Sequence, residues 1–247
     1  MEGYVHSIYS GGMVDGPGIR TVVFFSGCPL RCLYCHNPDT WELKSGTKYT
    51  VEEIIKEVLK YKSFYKTGGG VTISGGEPLM QAEFLTEVLK GCKQNGIHTV
   101  VDTSGYANME TARDVLRHTD LLLLDIKSFN SQVYEKLTGV EIEKTLNMLQ
   151  LAREMNIPTW IRYVLVPGLT DNENELREMT TFLQDYPNVK KIDILPFHKT
   201  GEFKWKEQGI PYQLADTQEP SAEAVTAARQ IVSHLHDKEI FYDDFYQ

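Results

Sequence analysis

Ile19-Arg20-Thr21-Val22-Val23-Phe24-Phe25-Ser26 runs directly into Gly27-Cys28-Pro29-Leu30-Arg31-Cys32-Leu33-Tyr34-Cys35, and this junction of an apolar run with a cysteine loop sets the reading of the chain. The run is β-branched and aromatic, as strands buried on both faces are. Three of the four cysteines in the sequence fall in the loop, at C-x3-C-x2-C spacing. Three thiols cannot pair off as disulfides without a remainder, and a tight loop turns them toward one centre more easily than it bridges them. An iron-sulfur cube normally takes four cysteines. A site that supplies only Cys28, Cys32 and Cys35 leaves one iron open, and an open position is where a small molecule can bind and react.

Two other readings bear on the loop. Cys92 lies in Gln81–Asn95, where Phe84, Leu85, Val88, Leu89 and Cys92 recur at helical spacing, so it reads as core. A zinc site of Cys28, Cys32, Cys35 and His36 would close a tetrahedron. The adjacency of Cys35 and His36 makes that awkward, and no second C-x2-C pair exists.

Working outward, apolar runs alternate with helical periods, the pattern of strand-helix units around a parallel sheet. Six strands are expected, near Ile19–Ser26, Val71–Ser74, Thr99–Asp102, Leu121–Asp125, Thr159–Val166 and Lys191–Leu195. Thr50 with Glu53 forms a capping box before a helix over Val51–Lys62, Gly96 ends the helix after Gln81, and Asn156 with Pro158 ends Glu141–Met155. A last helix runs from Pro220 to Asp237, and Lys199–Glu219 reads as a loop over one end of the sheet. Each unusual motif follows a strand: the cysteine loop, Ser74-Gly75-Gly76-Glu77-Pro78, Asp102-Thr103-Ser104-Gly105, Asp125-Ile126-Lys127, Pro167-Gly168 and Pro196-Phe197-His198. In a parallel β/α barrel such loops share one face. The expectation is an α/β fold, a partial and open (β/α)6 TIM-like barrel, with residues 1–247 as a single domain carrying the cluster loop at 28–35 and a C-terminal helix and tail at 220–247.

At 247 residues the chain lies near the upper size of a single core. The start lacks a basic segment followed by an apolar stretch, and runs such as Leu121–Leu124 are too short to span a bilayer, so a cytoplasmic protein is expected, as reduced thiols also suggest. A net charge of −9, from 25 Lys plus Arg against 34 Asp plus Glu, argues against a general nucleic-acid binder. The acidic runs Asp171–Glu175 and Asp243-Asp244 read as solvated surface.

C-x3-C-x2-C after the first strand with Gly-Gly-Glu-Pro after the second resembles the radical S-adenosylmethionine superfamily. Asp15-Gly16-Pro17-Gly18-Ile19-Arg20, Tyr34-Cys35-His36-Asn37, Leu124-Asp125-Ile126-Lys127, Ile161-Arg162-Tyr163 and Leu195-Pro196-Phe197-His198 extend the resemblance, from about Val5 to Trp205, to the family of activases that act on pyruvate formate-lyase. The interval from Cys35 to Gly75 holds no further cysteine, unlike activases with a ferredoxin-like insert.

The resemblance implies one [4Fe-4S] cluster on Cys28, Cys32 and Cys35, whose open iron binds S-adenosylmethionine. It implies reductive cleavage of that molecule to methionine and a 5′-deoxyadenosyl radical, which takes a hydrogen atom from a glycine of pyruvate formate-lyase. Tyr34, Cys35, His36, Gly76, Asp125, Ile126, Lys127 and His198 would contact the cofactor, and Glu77 would accept from its amino group. Asp102, Thr103 and Asp125 would form a monovalent-cation site. Asp15, Gly16, Arg20 and Arg162 would meet the substrate peptide. A reduced flavodoxin or ferredoxin would donate the electron, with Arg31 in its docking patch, and the chain would act as a monomer.

Overall fold

The computed structural model describes residues 1–66 and 68–233. The expected end of the last helix at Asp237, the tail and Asp243-Asp244 lie outside the described residues.

The chain opens with a long strand, β1 (Glu2–Gly12), followed by β2 (Arg20–Phe25), β3 (Thr47–Thr50), α1 (Val51–Leu59), β4 (Gly70–Gly75), α2 (Ala82–Gln94), β5 (His98–Thr103), α3 (Met109–Leu116) and β6 (Leu121–Asp125). The second half comprises α4 (Ser131–Thr138), α5 (Glu143–Glu154), β7 (Thr159–Leu165), α6 (Glu173–Leu183), β8 (Val189–Pro196), α7 (Glu202–Glu207) and α8 (Ala222–Ser233). The strands form one sheet in the order β3-β1-β2-β4-β5-β6-β7-β8. From β2 to β8 every pairing is parallel. These are the six strands expected from the sequence.

The sheet has eight strands because β1 and β3 add an antiparallel edge beside β2. Periodicity missed them for a physical reason. β1 is half exposed and rich in Gly and Ser, with buried and open positions interleaved, so it lacks the continuous apolar run of the central strands. Only four residues make β3, and they merge into the cap of α1. That cap is the expected box: Thr50 Oγ1 accepts from the Glu53 amide at 3.2 Å, and the Thr50 amide donates to Glu53 at 2.8 Å. Asn108, Asn130 and Asn172 cap α3, α4 and α6 through their side chains.

The main core lies between the sheet and its helices, and Cys92 is fully buried within it. Side chains from the C-terminal ends of β2, β4, β5, β6, β7 and β8 all line one cavity, which a flat sheet could not arrange. The sheet therefore curls into an open barrel with its functional loops on one rim.

Candidate functional site

The cysteine loop is held from three sides. The Arg31 and Leu33 amides donate to the carbonyls of Thr138 and Leu137 at 2.7 and 2.9 Å, satisfying two acceptors that the C-terminus of α4 would leave unpaired. Gly27 and Cys28 donate to Thr40 and Trp41 at 2.7 and 3.1 Å. The third support comes from within Lys199–Glu219, expected to be a loop, where α7 carries Trp205. Its indole is buried and donates to the Cys35 carbonyl at 2.7 Å.

A cavity of about 370 Å³ opens beside the loop and is lined by Cys28, Cys32 and Cys35 together. All three thiols are free. Burial pushes all three thiols up, Cys32 to about 12, and the neighbouring thiols add to the rise at Cys28 and Cys32. Such thiols stay neutral near pH 7 unless a bound metal supplies positive charge.

The donor set can be tested against the two metal readings. Among the described residues no three His, Cys, Asp or Glu side chains converge tightly enough to hold a single ion. His36, the fourth ligand a zinc ion would need, instead bonds through Nε2 to the His198 carbonyl at 3.1 Å, and its ring lies 4.2 Å from that of His198. A larger iron-sulfur cube fits three thiols spread around one cavity. The loop after β4 packs tightly on the cysteine loop: a Cβ at Gly76 would lie 2.4 Å from the Gly27 carbonyl oxygen and 3.2 Å from the Cys28 Cβ, so only glycine lets it pass so close.

Tyr34, His36, Gly76, Asp125, Lys127 and His198 line the same cavity, as do Asp15, Asp102, Thr103 and Arg162. Lys127 bonds Asp125 at 2.6 Å and lies 5.8 Å from the Tyr34 ring centroid. Burial works against its charge, but the Asp125 carboxylate outweighs that and holds it well above the ordinary lysine value. Arg162 bonds Asp102 at 3.0 Å. Burial likewise opposes its charge, and Asp102 and Asp125 more than offset this. The Tyr34 hydroxyl, Asp102 Oδ1 and Arg162 Nε are buried with no hydrogen-bond partner. Buried polar atoms without partners are costly, and all three belong to residues that line the cavity.

Several expected contacts have other partners. Glu77 is fully buried, and its carboxylate accepts from Thr103 Oγ1 at 2.6 Å, Ser104 Oγ at 2.6 Å, the Ser104 amide at 2.9 Å and the Leu79 amide at 3.1 Å. It ties the loop after β4 to the loop after β5 and has no capacity left for a ligand amine. Ile126 does not line the cavity; its side chain belongs to the core. Of the expected cation trio, Thr103 gives its hydroxyl to Glu77 and Asp125 Oδ2 is paired with Lys127, while Asp102 Oδ1 is buried with no partner.

Arg20 is the clearest departure. It lies at the opposite end of β2 from the cysteines, with no exposed surface. Its guanidinium donates to Thr72 Oγ1 and to the carbonyls of Pro17, Gly68, Val71 and His98 at 2.7 to 3.2 Å, stitching the floor of the barrel instead of meeting a peptide. Gly16, at φ +118°, packs against that side chain. Asp171–Glu175 also departs from the solvated reading at its last residue, because Glu175 is buried. Trp41, Ser74 and Ser104 line the cavity too; Ser74 and Ser104 belong to the motifs at the ends of β4 and β5, whereas nothing local in the sequence marks Trp41.

The comparisons agree with this geometry. A model of the Radical SAM superfamily matches residues 22–180. The chain is 44% identical over 241 residues to a pyruvate formate-lyase-activating enzyme of Staphylococcus epidermidis, covering 94% of this chain and 96% of the relative. It is 45% identical over the same shares to the enzyme of that name from Staphylococcus aureus. Among solved structures, a domain of the pyruvate-formate lyase-activating enzyme from Bacteroides vulgatus superposes with a TM-score of 0.58 at 35% identity, covering 68% of this chain and 95% of that one. Streptococcus suis SuiB bound to its precursor peptide SuiA reaches a TM-score of 0.66 at 18% identity, over 86% of this chain and 46% of that one, a likeness of fold. With three thiols around the cavity of an open parallel barrel, and relatives matched along nearly their whole length, the chain belongs to the radical SAM superfamily and, within it, to the pyruvate formate-lyase-activating enzyme family.

Proposed function

We propose that this protein installs the glycyl radical of pyruvate formate-lyase. The observation that carries the reading is the meeting, in one cavity, of three free thiols, and no fourth, with the charged side chains of Asp102, Asp125, Lys127 and Arg162. Cys28, Cys32 and Cys35 would hold a [4Fe-4S] cluster. When bound, the cluster supplies one electron to the sulfonium of S-adenosylmethionine, giving methionine and the 5′-deoxyadenosyl radical that takes a glycine hydrogen from the partner.

The chain's own residues bind and orient. Lys127, kept charged by Asp125, offers its ammonium to the methionine carboxylate. Gly76 admits the ligand close to the backbone, while Tyr34, His36 and His198 wall the adenosyl side. The free oxygen of Asp102 is where a monovalent cation would be accepted. Asp15 and Arg162 face the cavity from the barrel side and would meet the partner's glycyl loop. A reduced flavodoxin or ferredoxin would supply the electron, and a monomeric cytoplasmic protein is the simplest form. Among the described residues no helix is long and apolar enough to cross a membrane.

The test is anaerobic reconstitution with iron and sulfide, reduction, and addition of S-adenosylmethionine and pyruvate formate-lyase, read by electron paramagnetic resonance. A glycyl signal with 5′-deoxyadenosine is expected. Cleavage without that signal would move the search to another glycyl-radical partner, and a colourless, iron-free protein would overturn the reading.

A further inference from the structure

Glu175 is 7% exposed and stands in the first turn of α6. A buried carboxylate is costly unless donors or dipoles stabilise its charge. Here the helix N-terminus is one source of stabilisation, and one carboxylate oxygen collects three donors: Ser128 Oγ at 2.6 Å, the Phe129 amide at 2.6 Å and the Tyr163 hydroxyl at 3.0 Å. These donors share a location. Ser128 and Phe129 directly follow Lys127, and Tyr163 directly follows Arg162. On the other side of Lys127, the Ile126 amide donates to the Arg162 carbonyl at 3.0 Å. Lys127 is thus suspended between two anchored points, with its side chain directed at Asp125 and the cavity.

We propose that Glu175 is a positioning residue: by clamping Ser128 and Phe129 onto α6 it aims Lys127 into the cavity, and so sets the affinity for the carboxylate of S-adenosylmethionine without touching it. This rests on the reading of the cavity as the S-adenosylmethionine site. Outer-shell partners of this kind typically change affinity by about 10- to 100-fold. Glu175→Gln keeps an oxygen acceptor in place, whereas Glu175→Ala removes it.

Two measurements test the clamp. Hydrogen exchange of the cofactor-free protein should show the amides of residues 126–130 opening about tenfold faster in Glu175→Ala and near the wild-type rate in Glu175→Gln. Equilibrium binding of S-adenosylmethionine to the reconstituted protein should weaken about tenfold in Glu175→Ala, and the Glu175→Ala, Lys127→Ala double variant should bind no more weakly than Lys127→Ala alone. Ser128→Ala, which removes one of the three donors and leaves the Phe129 amide on Glu175, should move both readings in the same direction by a smaller factor and serves if Glu175→Ala folds poorly. Unchanged exchange, or affinity losses that multiply in the double variant, would overturn the proposal. A wild-type protein that binds no S-adenosylmethionine would overturn the functional reading itself, and the exchange data, which need no cofactor, keep that failure separate.

Discussion

Trp205 donates its indole N–H to the carbonyl oxygen of Cys35 at 2.7 Å, so a short helix late in the chain fixes the last cysteine of the loop. The same indole meets Trp41 edge-on at 5.2 Å, and the Arg31 guanidinium lies 4.8 Å over the Trp41 ring. Trp205→Phe keeps most of the apolar contact but leaves the Cys35 carbonyl without this donor, a loss of about 1 kcal/mol. Iron should leave the reconstituted variant about five times faster under a chelator, in line with that energy. A wild-type rate would show that Trp205 does not restrain the loop.

Arg20 tests whether a motif residue is structural or exposed to a partner. Its buried guanidinium binds four carbonyls and a hydroxyl, and burial lowers its pKa to about 10. Arg20→Ala strands those acceptors and should cost about 3 to 5 kcal/mol of stability, read as a shift of the urea unfolding midpoint. A surface contact would change stability by less than about 0.5 kcal/mol.

The His36 pKa is lowered from 6.5 by burial, with the His198 carbonyl raising it and the charges of His198, Lys127 and Lys204 lowering it. Because the folded state disfavours the proton, the stability associated with neutral His36 is present above 6.5 and lost as pH falls toward the lowered folded value. His98, depressed by burial and then by Arg20, acts with the same sign. Melting temperature should therefore drop on acidification below pH 6.5, and His36→Gln should flatten part of that slope. A variant with the full wild-type slope would clear His36 of the effect.

Gly201 sets the position of His36 from behind. A Cβ there would lie 2.7 Å from the His36 Cα and 3.0 Å from its carbonyl oxygen, both backbone atoms. Gly201→Ala must displace His36, and with it the His198 ring 4.2 Å away, both of which line the cavity. Binding of S-adenosylmethionine should weaken by about tenfold with melting temperature little changed, consistent with displacement of a positioned group by a fraction of an ångström. Equal affinity would place the histidine pair outside the binding surface.

The six parallel strands and the cysteine loop were legible because each is a local signal, a continuous apolar run or a fixed spacing. β1 escaped because an edge strand that buries alternate residues among Gly and Ser carries little hydrophobic contrast. The side-chain assignments diverged where long-range partners decide. Nothing near Glu77 in sequence reveals that Thr103 and Ser104 will consume its oxygens, and nothing near Glu175 reveals Ser128 and Tyr163. Motif membership marked Arg20 and Asp15 alike, yet burial sends one to the barrel floor and the other to the cavity wall.

Asp15 is the motif residue proposed to meet the partner. Its carbonyl accepts from Thr72 Oγ1 at 2.6 Å, anchoring the turn to β4, while its side chain is free to line the cavity. Burial raises its pKa, Asp102 adds to the rise, and Arg162 and Arg20 oppose it, so its carboxyl sits among charges that a bound peptide would rearrange. Because the anchor is backbone, Asp15→Ala should keep the turn, the iron content and the cleavage of S-adenosylmethionine within about twofold of wild type. The glycyl-radical yield should fall by about tenfold, the scale of one lost contact at the centre of an interface. Spin counting of the glycyl signal against 5′-deoxyadenosine formed separates the two quantities: uncoupled cleavage assigns Asp15 to the peptide, whereas a parallel fall in both would place it at the cofactor.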